Sequence, residues 1–419
     1  MFALAFSRRL TDFAIFAPVV NPFMNQTTLL QARANRLNSI DFTRGLVIVI
    51  MALDHIRDLL HITSFSQDPV DLSTTTPALF MTRWVTHFCA PIFVFLAGVS
   101  AYLMGKSHND LSKTRRFLLT RGLWLVFLEI TVVGFGIWAD IHFRTILLQV
   151  IFAIGMGFMI LSALVKLPAK ILGGAGLAII LLHDALPALS FPNNKTAEFL
   201  WSIFLQRGFF KLDDTHGLVI GYSIIPWLGI MLFGYGFGKV FEQTAEKRRR
   251  TLLIGGSIAL LVFILFRALN LYGDPHPWSL QQSPVFSFLS FISVSKYPPS
   301  LLYAAVTLGI MFLVLFATEG INSGFTRFFI TYGRVPMFFY LMHWYIVHIS
   351  MFAIIIAQGA SWQQMPFGLM NFGRPDGMGV TLPFVYLYWI SMVLFMYPLC
   401  RWYGRYKAAN RHKKWLAYL

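Results

Sequence analysis

Long apolar runs alternate with short polar segments along most of this chain. Each run approaches the roughly 20 residues that a helix needs to cross the hydrocarbon core of a bilayer. The pattern predicts ten membrane-spanning helices near residues 40–60, 84–104, 117–138, 145–165, 169–187, 218–238, 251–271, 299–318, 328–357 and 380–400. The fifth run is the shortest and is rich in glycine, which weakens helices.

Polarity changes at both ends of this helical region. Residues 1–38 mix apolar side chains with Arg8, Arg9 and Asp12, and they lack the small-residue cleavage site of a signal peptide. We expect 1–38 to be a cytoplasmic or interfacial segment, with a misassigned start codon as the alternative. Residues 39–403 are expected to form the transmembrane domain, and residues 404–419 a basic cytoplasmic tail.

Lysine and arginine collect in alternate loops. They lie before the first helix and after the second, fourth, sixth and tenth, at Arg33, Arg36, Lys106, Lys113, Arg115, Arg116, Lys166, Lys170, Lys247 to Arg250 and Arg401 to Lys414. By the positive-inside rule these loops are cytoplasmic, and so are both termini. Topology and anionic lipid then account for the net charge of +16, and no nucleic-acid partner is expected.

Composition excludes a soluble protein. The chain of 419 residues is 57% hydrophobic and only 12% charged, and its mean hydropathy is +0.64. We therefore expect an all-α, polytopic integral membrane protein in contact with the lipid bilayer. Cys89 and Cys400 fall near opposite membrane faces, so no disulfide is expected. The sequence has no recognisable organelle-targeting signal, which favours a bacterial inner (plasma) membrane. Association of the chain into a homo-oligomer is left open by the sequence.

The first predicted helix carries titratable residues at membrane depth. Arg44 and His55 are eleven residues apart, which is about three turns and roughly 16 Å along one helix face. Such residues are expensive in a bilayer and usually mark a functional site. Asp41 lies one turn before Arg44 and can pair with it, in a role that is structural or functional. Arg44 either reaches the lipid headgroups or binds a ligand phosphate.

His55 is the candidate catalytic base. Asp54 precedes it, and a carboxylate beside an imidazole fixes its tautomer and raises its basicity, as general-base catalysis near neutral pH requires. The alternative is a purely structural hydrogen bond between helices. Arg57, Asp58 and His61 follow within two turns and add to this polar end of the helix.

Other polar residues are expected on the outer half of the bundle, near His55. Pro91 lacks a backbone donor and should bend the second helix. Pro298 and Pro299 suit the start of the eighth helix. The candidates for acceptor binding or accessory roles are Arg83, His87, Lys296, Tyr297, Tyr340 and His343. No metal is expected, because His343 and His348 are five residues apart and no other metal-ligand spacing is present.

The stretch SIDFTRG, with Arg44, ten intervening residues and His55, resembles the first-helix signature of the transmembrane acyltransferase superfamily, which includes the acyltransferase-3 proteins. The order of four further segments is similar to the bacterial branch related to the heparan-alpha-glucosaminide N-acetyltransferase catalytic domain. These segments are HFCAPIFVFLAGVSAYL, YSIIPWLGIMLFGYGFG, KYPPSLLY and GRVPMFFYLMHW. Together the similar pieces span about residues 38–403.

The resemblance implies transfer of an acyl group, commonly acetyl, from cytoplasmic acyl-CoA to an acceptor, commonly a cell-envelope carbohydrate. It makes acetyl-CoA or another acyl-CoA the co-substrate. The residues expected to hold the CoA phosphates are Arg44 with Asp41, Arg115, Arg116 and Arg121. His55 would deprotonate the acceptor hydroxyl or amine, or would itself become acylated.

The chain departs from the heparan-modifying relatives at several points. They have asparagine at the place matching His55, a catalytic histidine in the following outer loop, and aspartate at the place matching His87. His61 is the nearest loop histidine here, at a different spacing, so we expect His55 to act rather than His61. Heparan sulfate is not carried over as the substrate.

Two other classes of protein have intramembrane arginine and histidine. A transporter of a small anionic metabolite uses such residues to line its path, although no inverted repeat is recognisable here. A non-catalytic flippase or scaffold of envelope assembly would not need His55. Specific, Arg44-dependent binding of CoA would separate the acyltransferase from the transporter.

Overall fold

The computed structural model describes residues 38–64, 66–108, 110–186 and 194–418, so the predicted N-terminal segment lies almost wholly outside the described residues. The α-helices, numbered in chain order, are α1 Asn38–Leu60, α2 Pro77–Thr86, α3 Cys89–His108, α4 Leu111–Leu128, α5 Gly134–Trp138, α6 Val150–Leu164, α7 Ala169–Leu182, α8 Lys195–Phe204, α9 Ile224–Phe237, α10 Ala245–Leu269, α11 Pro284–Ile292, α12 Leu301–Thr318, α13 Gly324–Gly333, α14 Pro336–Ala357 and α15 Leu382–Ala409. The strands are β1 Thr145–Leu148, β2 Gly208–Lys211, β3 Gly217–Ile220, β4 Phe367–Gly368 and β5 Asn371–Phe372.

Seven helical segments of the described chain are long and apolar enough to cross a membrane. They are Pro77–His108, Leu111–Trp138, Ile224–Glu242, Ala245–Leu269, Leu301–Thr318, Pro336–Ala357 and Leu382–Ala409. Helix α1 has 23 residues but carries several charges, whereas α6 and α7, with 15 and 14 residues, are shorter than a full span. Each of the ten predicted segments overlaps helix in the described structure, and the prediction of an all-α, polytopic membrane protein is confirmed.

The second predicted helix is interrupted near Pro91, as expected. Helix α2 ends at Thr86 and α3 begins at Cys89. A proline nitrogen cannot donate to the carbonyl four residues earlier, which here belongs to His87. The hydroxyl of Tyr303 donates to that oxygen at 2.6 Å instead. The interruption is therefore stabilised by a neighbouring helix, as backbone at membrane depth requires.

The predicted starts of the fourth and sixth helices were wrong. Residues 145–148 and 217–220 form strands of a small sheet in the order β1-β3-β2, in which β1 and β3 are parallel and β2 and β3 are antiparallel. Both segments continue into helices, and a short apolar run does not reveal by periodicity whether it is strand or helix. The error therefore falls at element boundaries.

Two proline positions were also mispredicted. The expected helix 328–357 is divided into α13 and α14, and Pro336 begins α14 because it cannot continue the preceding helix. Pro298 and Pro299 lie before α12 rather than in its first turn. Ser300 is the N-cap of α12, and its hydroxyl accepts a hydrogen bond from the backbone N–H of Tyr303 at 3.1 Å.

Helix α1 lies at the centre of the bundle and is buried along most of its length. Its neighbours are α2, α3, α12, α13, α14 and α15. The contact with α13 is closest at Gly45 and Gly333: a Cβ on Gly45 would overlap the carbonyl oxygen of Phe329, and a Cβ on Gly333 would overlap that of Asp41. Small residues allow membrane helices to approach in this way.

We expect Gly45→Ala to destabilise the protein by about 1–3 kcal/mol or more, because the new methyl group meets rigid backbone. The measurement is the thermal unfolding midpoint of detergent-purified protein. Gly174→Ala is the control, since a Cβ at that helical position meets nothing within 4 Å. An unchanged midpoint for Gly45→Ala would contradict the close α1–α13 contact.

Candidate active site

A hydrogen-bonded pair of histidines joins α1 to α14. Nδ1 of His55 lies 2.7 Å from Nε2 of His343, and Nδ1 of His343 lies 3.2 Å from the carbonyl oxygen of Phe339. A carbonyl only accepts, so neutral His343 carries its proton on Nδ1 and accepts through Nε2. His55 then donates from Nδ1 and keeps the lone pair of Nε2. This tautomer is the one that a general base needs.

Aromatic residues of α14 surround the His55 ring. The ring stacks on Trp344, with 4.1 Å between centroids and 19° between planes, and meets Tyr340 edge-on at 6.2 Å. His343, Trp344 and Tyr340 are buried, while His55 is only half-buried. The imidazole is thereby held in a fixed orientation at the edge of the packed core.

Asp54 does not bond to His55, contrary to the sequence interpretation. Its carboxylate accepts from Nη2 of Arg57 at 2.8 Å and from Nη1 of Arg83. Arg57 also donates to Asp58 at 2.6 Å. Successive residues of a helix point about 100° apart, so the carboxylate next in sequence faces another helix. His343 takes the tautomer-fixing position that we had expected for Asp54.

The structure brings the remaining outer-half candidates near Asp54. Arg83, His87 and Lys296 lie within electrostatic range of its carboxylate. Lys296 is 8% exposed, and its Nζ lies 5.1 Å from the ring centroid of Tyr297. In the described residues, no group of three or more His, Cys, Asp or Glu side chains has an arrangement that holds a metal ion.

His61 lies just beyond α1 and apart from the histidine pair. Its Nδ1 is 3.1 Å from the hydroxyl of Thr63, and its carbonyl accepts from Arg374 at 2.6 Å. Burial lowers the pKa of His61, and the cations Arg57 and Arg374 lower it further. Burial also lowers the pKa of Arg374 to about 10, so this arginine stays charged at neutral pH. The contacts of His61 therefore connect α1 to the segment that precedes α15.

A cavity of about 370 Å³ extends from the beginning of α1 towards the histidine pair. Along α1 it is lined by Arg44, Ile48 and Met51, and along α14 it reaches Tyr340. Met51 lies one turn before His55 and Tyr340 just under one turn before His343, so the cavity ends next to the pair. Most of the other lining side chains are apolar.

The opposite end of the cavity is lined by cations. They come from four helices or their ends and are Arg44, Arg121, Arg334 and Lys407. The carboxylate of Asp41 lies between two of them, 3.4 Å from Arg44 and 3.8 Å from Arg334. The expected contact between Asp41 and Arg44 is present, and Asp41 links Arg44 to Arg334 at this end of the cavity.

Of the three arginines predicted on α4, only Arg121 lines this cavity. Arg115 donates to the carbonyl of Ser162 at 3.1 Å, and both Arg115 and Arg116 are exposed. At 100° per residue, Arg115 and Arg116 are turned about 120° and about 140° away from Arg121 around α4. Arg334 and Lys407 were not predicted as site residues. Arg334 follows the glycine that ends α13, and Lys407 lies among the basic residues of the C-terminal region.

A family model described as heparan-alpha-glucosaminide N-acetyltransferase, catalytic, matches residues 36–273, which is more than half of the 419 residues. The match begins before α1, includes Arg44 and His55, and ends before α14. A comparison with curated proteins finds no match. The resemblance noted in the sequence is confirmed, and the chain belongs to the heparan-alpha-glucosaminide N-acetyltransferase catalytic-domain family.

Proposed function

We propose that this membrane protein transfers an acyl group, acetyl by analogy with its family, from acyl-CoA to a hydroxyl or amine of an acceptor. The observation that carries the proposal is the position of His55. Its hydrogen bond to His343 leaves the lone pair of Nε2 available, and the ring lies next to one end of a cavity whose other end is cationic. An acyl-CoA has the matching polarity, because its phosphates are anionic and its acyl thioester lies at the far end of a largely uncharged arm.

The cationic end is the proposed site of the CoA phosphates. Arg44, Arg121, Arg334 and Lys407 line it, and guanidinium groups bind phosphate through paired hydrogen bonds. Arg44 and His55 are eleven positions apart on one helix, which corresponds to roughly 16 Å. The CoA arm would extend along the apolar part of the cavity and bring the thioester to His55.

We propose that the cationic end faces the cytoplasm and the Asp54–Arg83–Lys296 side faces away from it. Loop charge supports this orientation, with residues 39–403 as the transferase domain and 404–419 as a cytoplasmic tail. Its setting would be a bacterial inner membrane. The acceptor, proposed to be an envelope carbohydrate, would then approach from the outer side, where Arg83, His87, Lys296 and Tyr297 lie.

In the proposed reaction, Nε2 of His55 takes the proton of the acceptor hydroxyl or amine. The acceptor atom attacks the thioester carbonyl carbon, the carbon–sulfur bond breaks, and His55 returns the proton to the CoA thiolate. The hydrogen bond to His343 stabilises the transient imidazolium. Acylation of His55 followed by transfer to the acceptor is the alternative order of the same steps.

The proposed function is tested by acetyl-CoA turnover with purified protein. We expect release of the CoA thiol to depend on a pool of envelope glycans, and CoA alone to raise the thermal unfolding midpoint, because a ligand that binds the folded state stabilises it. Absence of both thiol release and CoA-dependent stabilisation would contradict the acyltransferase and favour the transporter of a small anionic metabolite.

A further inference from the structure

Two buried hydrogen-bond donors flank His55 and make no well-formed hydrogen bond. The hydroxyl of Tyr340 and the indole N–H of Trp344 are oriented towards each other in the described structure without reaching good hydrogen-bond geometry, and both residues are 3% exposed. Folded proteins satisfy most buried polar groups, and an unsatisfied one costs about 1–3 kcal/mol. The buried indole N–H groups of Trp124 and Trp227 also lack a partner in the described chain, but Tyr340 and Trp344 lie beside the candidate base.

The two donors share one face of α14. Tyr340 and Trp344 are four residues apart, which is about one turn, and their rings are perpendicular with 6.5 Å between centroids. Trp344 stacks on the ring of His55, and Tyr340 lines the end of the cavity. Trp344 does not itself line the cavity, so a thioester that reaches His55 would pass the phenol first and would meet the indole only beside the His55 ring.

Contacts with the neighbouring helical segments hold α14 in place. The hydroxyl of Tyr345 donates to the carbonyl of Val132 at 2.7 Å, within the π-helical segment Glu129–Val133. A Cβ built on Gly136 would lie 3.2 Å from Cβ of Trp344, so α14 and α5 are in close contact there. π-helical turns inside α-helices, such as Glu129–Val133, are frequent at functional sites. The hydrogen bond of Tyr345 and the close approach at Gly136 mean that both donors are carried by a firmly packed helix.

We infer that the Tyr340 hydroxyl and the Trp344 indole N–H bind the carbonyl oxygen of the acyl thioester, an inference that rests on the proposed function. When the acceptor adds to the carbonyl carbon, the electron pair of the C=O bond moves to this oxygen, which becomes an oxyanion. The two donors stabilise that charge. The C=O bond then re-forms, the thiolate leaves, and His55 protonates it. Donors placed for the oxyanion act most strongly in the transition state.

Tyr340→Phe and Trp344→Phe each remove one donor and keep an aromatic ring. We expect each to lower kcat for acetyl transfer by about 10²–10³-fold, while the Kd for CoA changes less than about twofold. Tyr403→Phe is the matched control, because its hydroxyl is also buried and unpaired but the residue does not line the cavity. Its kcat should equal that of wild type.

A second measurement reports on the hydrogen bond itself. The carbonyl stretch of bound acetyl-CoA labelled with ¹³C at the thioester carbon should lie at lower frequency in wild type than in Tyr340→Phe, with acceptor absent. The inference would be overturned if Tyr340→Phe had the same kcat as the wild-type protein, or if its carbonyl stretch were unchanged. Thiol release by the wild-type protein would still support the proposed function in that case. Absence of thiol release by wild type would overturn both.

Discussion

We expect His55→Ala to lower the rate of acceptor-dependent acyl transfer by about 10²–10⁴-fold, which is the usual contribution of a positioned general base. The variant removes the lone pair that takes the acceptor proton. Binding of CoA should change little, because His55 does not line the cavity that we assign to CoA. The measurements are the initial rate of thiol release at saturating acetyl-CoA and the Kd for CoA.

His343 and His61 provide the controls for this prediction. His343→Ala should lower the rate less than His55→Ala, because it removes only the acceptor that keeps the His55 proton on Nδ1. His61→Ala should leave the rate near wild type, because its ring contacts Thr63 in the loop after α1. Loss of activity in His61→Ala with activity retained in His55→Ala would reverse the assignment and match the loop histidine of the heparan-modifying relatives.

The bundle and the family were predictable from sequence because both depend on local signals. A span of about 20 apolar residues predicts a membrane helix whatever it packs against, and Arg44 and His55 keep their spacing on any straight helix. Element boundaries at 145–148 and 217–220 were mispredicted, because these short apolar runs pair with each other only through the tertiary fold.

The composition of the site could not be derived in the same way. The partner of His55 is 288 residues away in sequence, and nothing local indicates that His343 rather than Asp54 accepts its proton. Arg334 and Lys407 reach the cavity from α13 and α15 for the same reason. Helical phase would have separated Arg121 from Arg115, but only once the direction of the cavity was known.

The cationic end of the cavity gives the second large effect. We expect Arg44→Ala and Arg334→Ala each to raise the Kd for CoA by about 10–100-fold, since a hydrogen bond to a charged group contributes about 1.5–3 kcal/mol and each 1.4 kcal/mol is a factor of ten. The measurement is isothermal titration of CoA into detergent-purified protein. Affinity should also fall as salt rises, because exposed charges are screened.

Arg115→Ala and Arg116→Ala are the matched controls, because they remove the same charge from α4 without touching the cavity. Equal losses of CoA affinity in all four variants would mean that only the overall positive charge attracts CoA. Arg44→Ala removes one of the two cations beside Asp41 and leaves Arg334 at 3.8 Å. The thermal unfolding midpoint of Arg44→Ala is therefore measured as well. A raised Kd for CoA with an unchanged unfolding midpoint would mean that the variant has lost a contact with CoA and not its stability. Unchanged affinity in both Arg44→Ala and Arg334→Ala would contradict CoA binding at this end of the cavity.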